Sequence, residues 1–302
     1  MKRTTRIFLL IAAIIGIPFY WLLVSNAPGL QPGQGVTIAQ LRVLAAQMPG
    51  KHPTAIEAAV LDKRDVPGDL LAAGTGIARL TAGVMSFHLL VPGSRAIVID
   101  SGFDRATARQ MGYERFNSEA GGRVEGWLRN AGLILLTHEH PDHLGGLAAL
   151  GDDPQVMARA LLPAAQLTKR PANLGPAWPT PAALASVRRM RDLPLQAVAP
   201  GVVAIRAPGH TPGSMMYFVA LGDGREYLFG GDTVTTAASW KQGRARSHLL
   251  ADWIAPEDRR AVLSWLTTVR ALHREAPRME IIPGHDVDSI AQTPGKQGIL
   301  LQ

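Results

Sequence analysis

Hydrophobic positions along the chain fall into three kinds of run. The first is continuous: eighteen residues, Ile7–Val24, carry no charge and follow the basic start MKRTTR. A stretch of about 18 or more apolar residues has the length of a membrane span. The second kind repeats at helical spacing. It predicts helices over Thr37–Met48 (TIAQLRVLAAQM), over Gly122–Asn130 with Trp127 and Leu128 inward, and over Asp258–Arg274. The third kind is short, aliphatic and broken by glycine, as strands are. Between Ala58 and Asp100 it reads as a meander of LLAAGTG, IARLTAGVMSFHLLV and RAIVID. Further strands are predicted at Leu133–Thr137, Val202–Arg206, Met215–Leu221 and Glu226–Phe229, with Met279–Ile282 as the last. A helix is expected from Leu144 onward, and strands precede helices in each half, with no internal repeat. Gly151–Ala199 carries no clear period, and its Arg188, Arg189 and Arg191 read as a solvated helix face.

Composition narrows the picture. At 302 residues, with 47% apolar and 18% charged positions, the chain can bury a sizeable core. The net charge is +7, and Lys2, Arg3 and Arg6 supply three of those charges ahead of the apolar run. No aromatic-interleaved basic stripe remains, so nucleic acid is not an expected partner. Residues 1–24 read as an N-terminal membrane anchor, with a signal segment cleaved after Ala27 as the other reading. Tyr20 and Trp21 stand near its far end, where amphipathic rings favour the membrane interface. In both readings the rest of the chain is exported, either tethered to the inner membrane on its periplasmic or extracellular side, or secreted. Residues 25–36, with two prolines and three glycines, read as a linker, and 37–302 as the catalytic domain.

The chemistry is concentrated in LILLTHEHPDHLGG, Leu133–Gly146, where His138, His140, Asp142 and His143 fall within six positions. Pro141 cannot continue the preceding strand, and two glycines close the segment. The same device, a short strand ending in a glycine-containing turn, presents His210 in APGHTPGS, Asp232 in GGDT and His285 in PGHD. A single histidine is ordinarily a surface or packed residue, as His88 is taken to be here. Five of the nine histidines at such turns point instead to a metal, for which neutral imidazole and carboxylate oxygen are common ligands. With no cysteine in the chain, any zinc must sit on histidine and carboxylate. Asp100, ending the strand in RAIVIDSGF, either orients ligands from behind or caps the next helix.

In order, IVIDSG (97–102), THEHPDH (137–143), GHTPGS (209–214), GGDT (230–233) and PGHD (283–286) resemble the signature elements of the metallo-β-lactamase superfamily. The likeness spans about Val60 to Ile290. It implies an α/β (α+β) fold, a four-layer αβ/βα sandwich of two mixed sheets with helices outside, here with an N-terminal transmembrane helix. It further implies two metal ions between the sheets, zinc with iron or manganese as substitutes. His138, His140 and His210 would bind the first, and Asp142, His143 and His285 the second, with Asp232 bridging both. A bridging hydroxide would attack a carbonyl polarised by one ion, and Asp142 would orient it or relay a proton. Thr211 and Ser214 would hold the His210 turn.

The superfamily spans several chemistries, so the fold alone does not choose a substrate. A bridging carboxylate such as Asp232 is implied for lactonases and thioesterases and is missing from true β-lactamases. Glyoxalase II-like enzymes carry a long helical C-terminal extension, whereas seventeen residues follow His285 here. The inserted arm of the nuclease branch and the flavin domain of the redox branch are not recognisable either. The expectation is therefore an ester or lactone of a small molecule. A β-lactam or a glyoxalase II-like thioester is the alternative, and a non-catalytic metal-binding module the remote one. Thr235 stands three positions after Asp232, where quorum-signal lactonases carry tyrosine. Ser239–Trp253 is expected to border the pocket, with Trp240 and Trp253 as apolar walls and Lys241, Arg244 or Arg246 meeting an anionic group.

Overall fold

The computed structural model describes residues 2–168, 170–292 and 299–301, so the expected anchor and catalytic domain run slightly past it at both ends. The strands, in chain order, are β1 (Ala55–Pro67), β2 (Arg79–Leu90), β3 (Ile97–Ile99), β4 (Leu133–Leu135), β5 (Leu161–Leu162) and β6 (Arg188–Arg189). They continue with β7 (Leu195–Ala199), β8 (Val202–Arg206), β9 (Met215–Ala220), β10 (Glu226–Gly231), β11 (Glu280–Pro283) and β12 (Ile299–Leu301). One five-stranded sheet has the order β12-β1-β2-β3-β4 and the other β11-β10-β9-β8-β7, with β5-β6 a small separate ribbon. Both large sheets are mixed: β3 runs parallel to β4, and β10 parallel to β11, while the hairpins within each are antiparallel.

The period of two along each strand builds the layers. In β9, Tyr217 and Val219 join Phe87, Ile99 and Leu135 of the other sheet in a core between the sheets, where Phe87 meets Phe229 at 5.0 Å. Met216 and Phe218 point the other way, against Val262, Leu266 and Val269 of the helix Arg259–Glu275 and Leu41 of the helix Ile38–Ala45. On the far side, Val98 and Ile134 pack on Leu128 of the helix Ser118–Asn130 and Leu147 of the helix Pro141–Ala149. Helix, sheet, sheet and helix therefore stack in four layers. Each fully buried large apolar side chain, such as Phe218, contributes about 1.5–3 kcal/mol.

Helix ends follow local chemistry. Thr37 and Gln40 form a reciprocal cap at the start of Ile38–Ala45, and the Asp258 carboxylate accepts from the Ala261 amide at the start of Arg259–Glu275. The expected helix after the metal motif begins earlier than Leu144, at Pro141, because proline is pre-set for the first helical position. That shift places Asp142 and His143 on the helix's first turn.

Other expectations are corrected. LLAAGTG is no strand: Gly68–Leu71 is a single helical turn and the rest a loop. The hairpin partner of β2 is Ala55–Pro67, where burial alternates irregularly past a register shift at Val60/Asp62. Arg188 and Arg189 lie exposed in strand β6 rather than on a helix. Strand Glu280–Pro283 is not the last, since Ile299–Leu301 adds to the edge of β1.

The N-terminal run is a helix, Arg3–Phe19, extended by one wider turn of π-helix over Tyr20–Val24. Pro18 removes a donor just before that widening, and Ser25 N–H reaches back to the Tyr20 carbonyl at 2.8 Å. These 22 residues are long and apolar enough to cross a membrane, and none of the span's apolar core is buried against the rest of the chain. Residues 25–36 lie against the domain: Arg259 donates to the Ala27 carbonyl, and the Gln34 amide donates to Thr268 Oγ1 at 2.8 Å.

Candidate metal centre

The site lies at one end of both sheets, where loops after β4, β8, β10 and β11 converge. Strand β4 delivers Thr137, and the turn after it throws His138 and His140 into the cleft, with Asp142 and His143 following on the helix. His210 comes from the turn between β8 and β9, Asp232 from the end of β10 and His285 from the end of β11. All seven residues of the expected set meet. His138, His140, His210 and Asp232 offer ligand atoms within 4.8 Å of one another, and so do Asp142, His143 and His285.

Asp232 lies between the groups. One oxygen is 3.5 Å from His210 Nε2, the other is 3.6 Å from His143 Nε2, and His285 Nε2 reaches both, at 3.2 and 3.1 Å. Two glycines make room for it. A Cβ at Gly284 would run into Asp232 Oδ1, and Gly231, at φ 49°, leaves no space for a side chain beside Thr137.

Three of the five imidazoles are held from behind, which decides what they present in front. His143 Nδ1 is 2.9 Å from Asp100, His210 Nδ1 is 2.9 Å from Glu257, and His285 Nδ1 is 2.9 Å from the Gly83 carbonyl. A ring nitrogen facing a carboxylate or a carbonyl carries the proton, so Nε2 is the atom the neutral ring offers as a lone pair. His138 Nε2 and His143 Nε2 are buried and make no hydrogen bond among the described residues. His210 Nε2 and His140 Nδ1 face each other at 3.0 Å. Buried ring nitrogens left without a partner, as at His138 and His143, are costly unless a cation joins them. The donor set thus fits divalent metal.

Charge follows the same logic. Burial, reinforced by the neighbouring rings, pushes the His140 pKa down to about 3 and holds His138 well below the ordinary histidine value. Burial would lower His143 too, but the Asp100 and Asp142 carboxylates raise it to about 10. Burial would raise Asp232, yet His285 and His210 hold it well below the usual carboxylate range. Burial would lower His285 as well, but the Asp232 and Asp142 carboxylates raise it, so without metal His143 and His285 both favour a proton that a cation must displace.

Asp100 resolves in favour of the orienting role, since the next helix is capped by Asp104. Its left-handed backbone (φ 59°), tolerable for Asp, aims the carboxylate at the Thr137 amide and hydroxyl as well as at His143. Thr211 and Ser214 do lock the His210 turn, with the Thr211 amide donating to Ser214 Oγ at 2.9 Å. The sequence reading missed Glu257 and misplaced Arg246. Arg246 is buried and its Nη2 lies 2.7 Å from Glu257, so it neutralises the carboxylate behind His210 and does not face an anionic substrate group. Glu139 was also missed: it accepts from Thr211 Oγ1 and the Gly213 amide, tying the motif to the His210 turn. Trp253 faces solvent and Trp240 stacks edge-on with His273, so neither lines the metal cleft as a wall. His88 is bonded to Glu57 and stacked on Trp127, away from the centre.

Two packed sheets carrying a cluster of histidines and carboxylates at their shared end define a class of metal-dependent hydrolase. The chain belongs to the metallo-beta-lactamase superfamily, whose profile matches residues 81–285. It is 38% identical over 141 residues to a hydroxyacylglutathione hydrolase of Albidiferax ferrireducens, an alignment covering 46% of this chain and 48% of that protein. A hydroxyacylglutathione hydrolase of Cupriavidus taiwanensis is 32% identical over 156 residues, covering 50% and 54%. The chain therefore spans about half the length of the curated relatives it matches. In three dimensions it is similar to an N-acyl homoserine lactone hydrolase with product at its catalytic metal centre. That likeness has a TM-score of 0.59 at 16% identity and covers 80% of this chain and 97% of that one. A probable metal-dependent hydrolase from Staphylococcus aureus is similar at TM-score 0.56 and 12% identity, covering 79% and 91%.

Proposed function

We propose that this chain is a dinuclear zinc hydrolase that opens an ester or lactone of a small molecule, held on the exported face of the inner membrane by residues 1–24, with 37–302 as its catalytic domain. The observation that carries the reading is Asp232 standing between two separate ligand groups, each with its own histidines. His138, His140 and His210 would hold one ion, Asp142, His143 and His285 the other, and Asp232 both. A divalent pair there supplies Lewis-acid polarisation of a carbonyl and a water of lowered pKa.

The chain's own groups do the rest. Asp142, on a helix's first turn with one oxygen 3.5 Å from His285, takes the proton of the attacking water. The water oxygen bonds to the acyl carbon, the carbon–oxygen bond to the leaving group breaks, and Asp142 returns the proton to the departing alkoxide. Asp100, Glu257 and the Gly83 carbonyl keep three imidazoles fixed, so little reorganisation is required as charge develops.

Thioester cleavage is the second reading, favoured by the hydroxyacylglutathione hydrolases to which the chain is similar over about half its length. A hydrolysis screen of the full chain in detergent or vesicles, across lactones, aryl esters, thioesters, β-lactams and phosphodiesters, separates the two. Asp232→Ala is the control. Turnover confined to lactones and esters, and lost in the control, is expected. Turnover of thioesters alone supports the second reading, and activity untouched by Asp232→Ala contradicts both.

A further inference from the structure

Outside the N-terminal helix, the most exposed large apolar side chains are few. Trp253 is 75% exposed, Val43 72%, Ile77 71% and Ile254 65%. Three of these four sit on two segments that clasp the point where the N-terminal helix meets the domain. The Trp21 ring stacks on His248, with centroids 4.4 Å apart, directly before the turn Leu249–Ile254 that carries Trp253 and Ile254. The Gly74 amide donates to the Leu23 carbonyl at 3.0 Å, in the loop that carries Ile77. The two segments are also bonded to each other, Ala73 N–H to the Ala245 carbonyl at 2.9 Å and Ser247 N–H to the Leu70 carbonyl at 3.0 Å. Asn26, just past the helix, donates to the Gly243 carbonyl and accepts from the Ala245 amide.

The helix end is thus fastened to the domain instead of trailing from it. Its 22 residues span about 33 Å at 1.5 Å per residue, close to a hydrocarbon core of about 30 Å. Tyr20 and Trp21 then stand at the interface, and whatever is fastened beside Trp21 stands there too. Large apolar side chains exposed next to that level mark a surface that contacts lipid.

We propose that Ile77, Trp253 and Ile254 form a second, interfacial contact with the same bilayer, holding the catalytic domain against the membrane at a fixed tilt. This rests on the anchor reading of residues 1–24. Both segments lead straight into the metal centre. Gly83, shortly after Ile77, accepts from His285, and Glu257, shortly after Ile254, accepts from His210. The face turned to lipid is therefore the one continuous with the supports of two ligands. An amphipathic ester or lactone that partitions into the headgroup layer meets the enzyme where it collects.

The chain contains no cysteine, so single labels can be introduced cleanly. Full-length Ile77→Cys, Ile254→Cys, Ile11→Cys and Val43→Cys variants, each carrying an environment-sensitive fluorophore, are reconstituted into phosphatidylcholine–phosphatidylglycerol nanodiscs. Val43, outside the two clasping segments, sits on the helix whose Ala45 carbonyl accepts from the Gly201 amide at the end of β8 away from His210. Unchanged unfolding midpoints confirm that the labelled chains are folded. Spin-labelled lipids then quench by proximity. The expected result is quenching and blue-shifted emission at 77 and 254, deeper quenching at 11 and none at 43. Quenching at 11 with water-like emission at 77 and 254 overturns the second contact and leaves the anchor standing. No quenching at 11 overturns the anchor and this inference together.

Discussion

Glu257→Gln isolates what the support behind a metal ligand is worth. The Glu257 side chain is fully buried, and one of its oxygens takes both the His210 Nδ1–H bond at 2.9 Å and the Arg246 guanidinium at 2.7 Å. Burial would raise its pKa, but Arg246 and His210 hold it below the ordinary carboxylate range, so it is charged. Glutamine preserves shape and an acceptor oxygen while deleting the charge. Two costs follow. Arg246, 6% exposed, becomes a buried cation with no counter-charge, which costs about 3 kcal/mol or more and lowers the unfolding midpoint by roughly 6–12 °C. Separately, a less basic His210 weakens metal binding by about 10–100-fold, or roughly 1.4–2.8 kcal/mol. The double variant Glu257→Gln/Arg246→Met separates them, because it removes both charges. Stability should largely return while metal affinity stays low. Affinity is read by chelator competition and stability by thermal unfolding of the metal-free chains. Wild-type metal affinity in Glu257→Gln would refute the reasoning.

Three further outcomes follow from the same geometry. Asp100→Asn should free His143 from its charged partner and weaken metal binding by about 10–100-fold, read by the same competition, with Asp104→Asn changing only stability. Gly284→Ala should drive a methyl group into Asp232 and abolish most turnover at near-native secondary structure by circular dichroism; full turnover would mean that the Asp232 position is unimportant. Metal affinity should rise with pH. Protons compete for His143, whose pKa stands at about 10 without metal, so raising the pH toward that value removes the competitor and tightens binding, by roughly tenfold per unit for one displaced proton. A flat affinity between neutral pH and pH 9 would show that no proton leaves.

The centre was legible because metal ligands must be particular residue types, and turns after short strands announce themselves with glycine and proline. All seven expected side chains do converge. What stands behind them was harder to read. Glu257 precedes a helix N-cap and looks like any acidic residue before Asp258, and only the fold brings it behind His210, 47 positions away. Arg246 sits in a basic stretch, where solvation is the ordinary reading, yet it is buried as Glu257's counter-ion. Among the elements, long helices and aliphatic strands were correctly seen because their period persists. The stretch LLAAGTG failed because a short apolar run does not tell a helical turn from a strand. Strand β1 hid for a different reason: its second half, Asp62–Asp65, is charged and its register shifts, so alternation is lost. The early helix start at Pro141 follows from proline's preference for the first helical position, which the apolar period, beginning at Leu144, does not report.

Two cations sharing Asp232 are what the proposed chemistry requires. Element-resolved mass spectrometry of the purified full chain, beside Asp232→Ala, His138→Ala and His285→Ala, tests this most directly. Close to two divalent ions per chain are expected in the wild type, with each single substitution lowering the count. A wild-type chain that holds fewer than one ion after growth in metal-replete medium, or that keeps its full complement when Asp232 is removed, would contradict it.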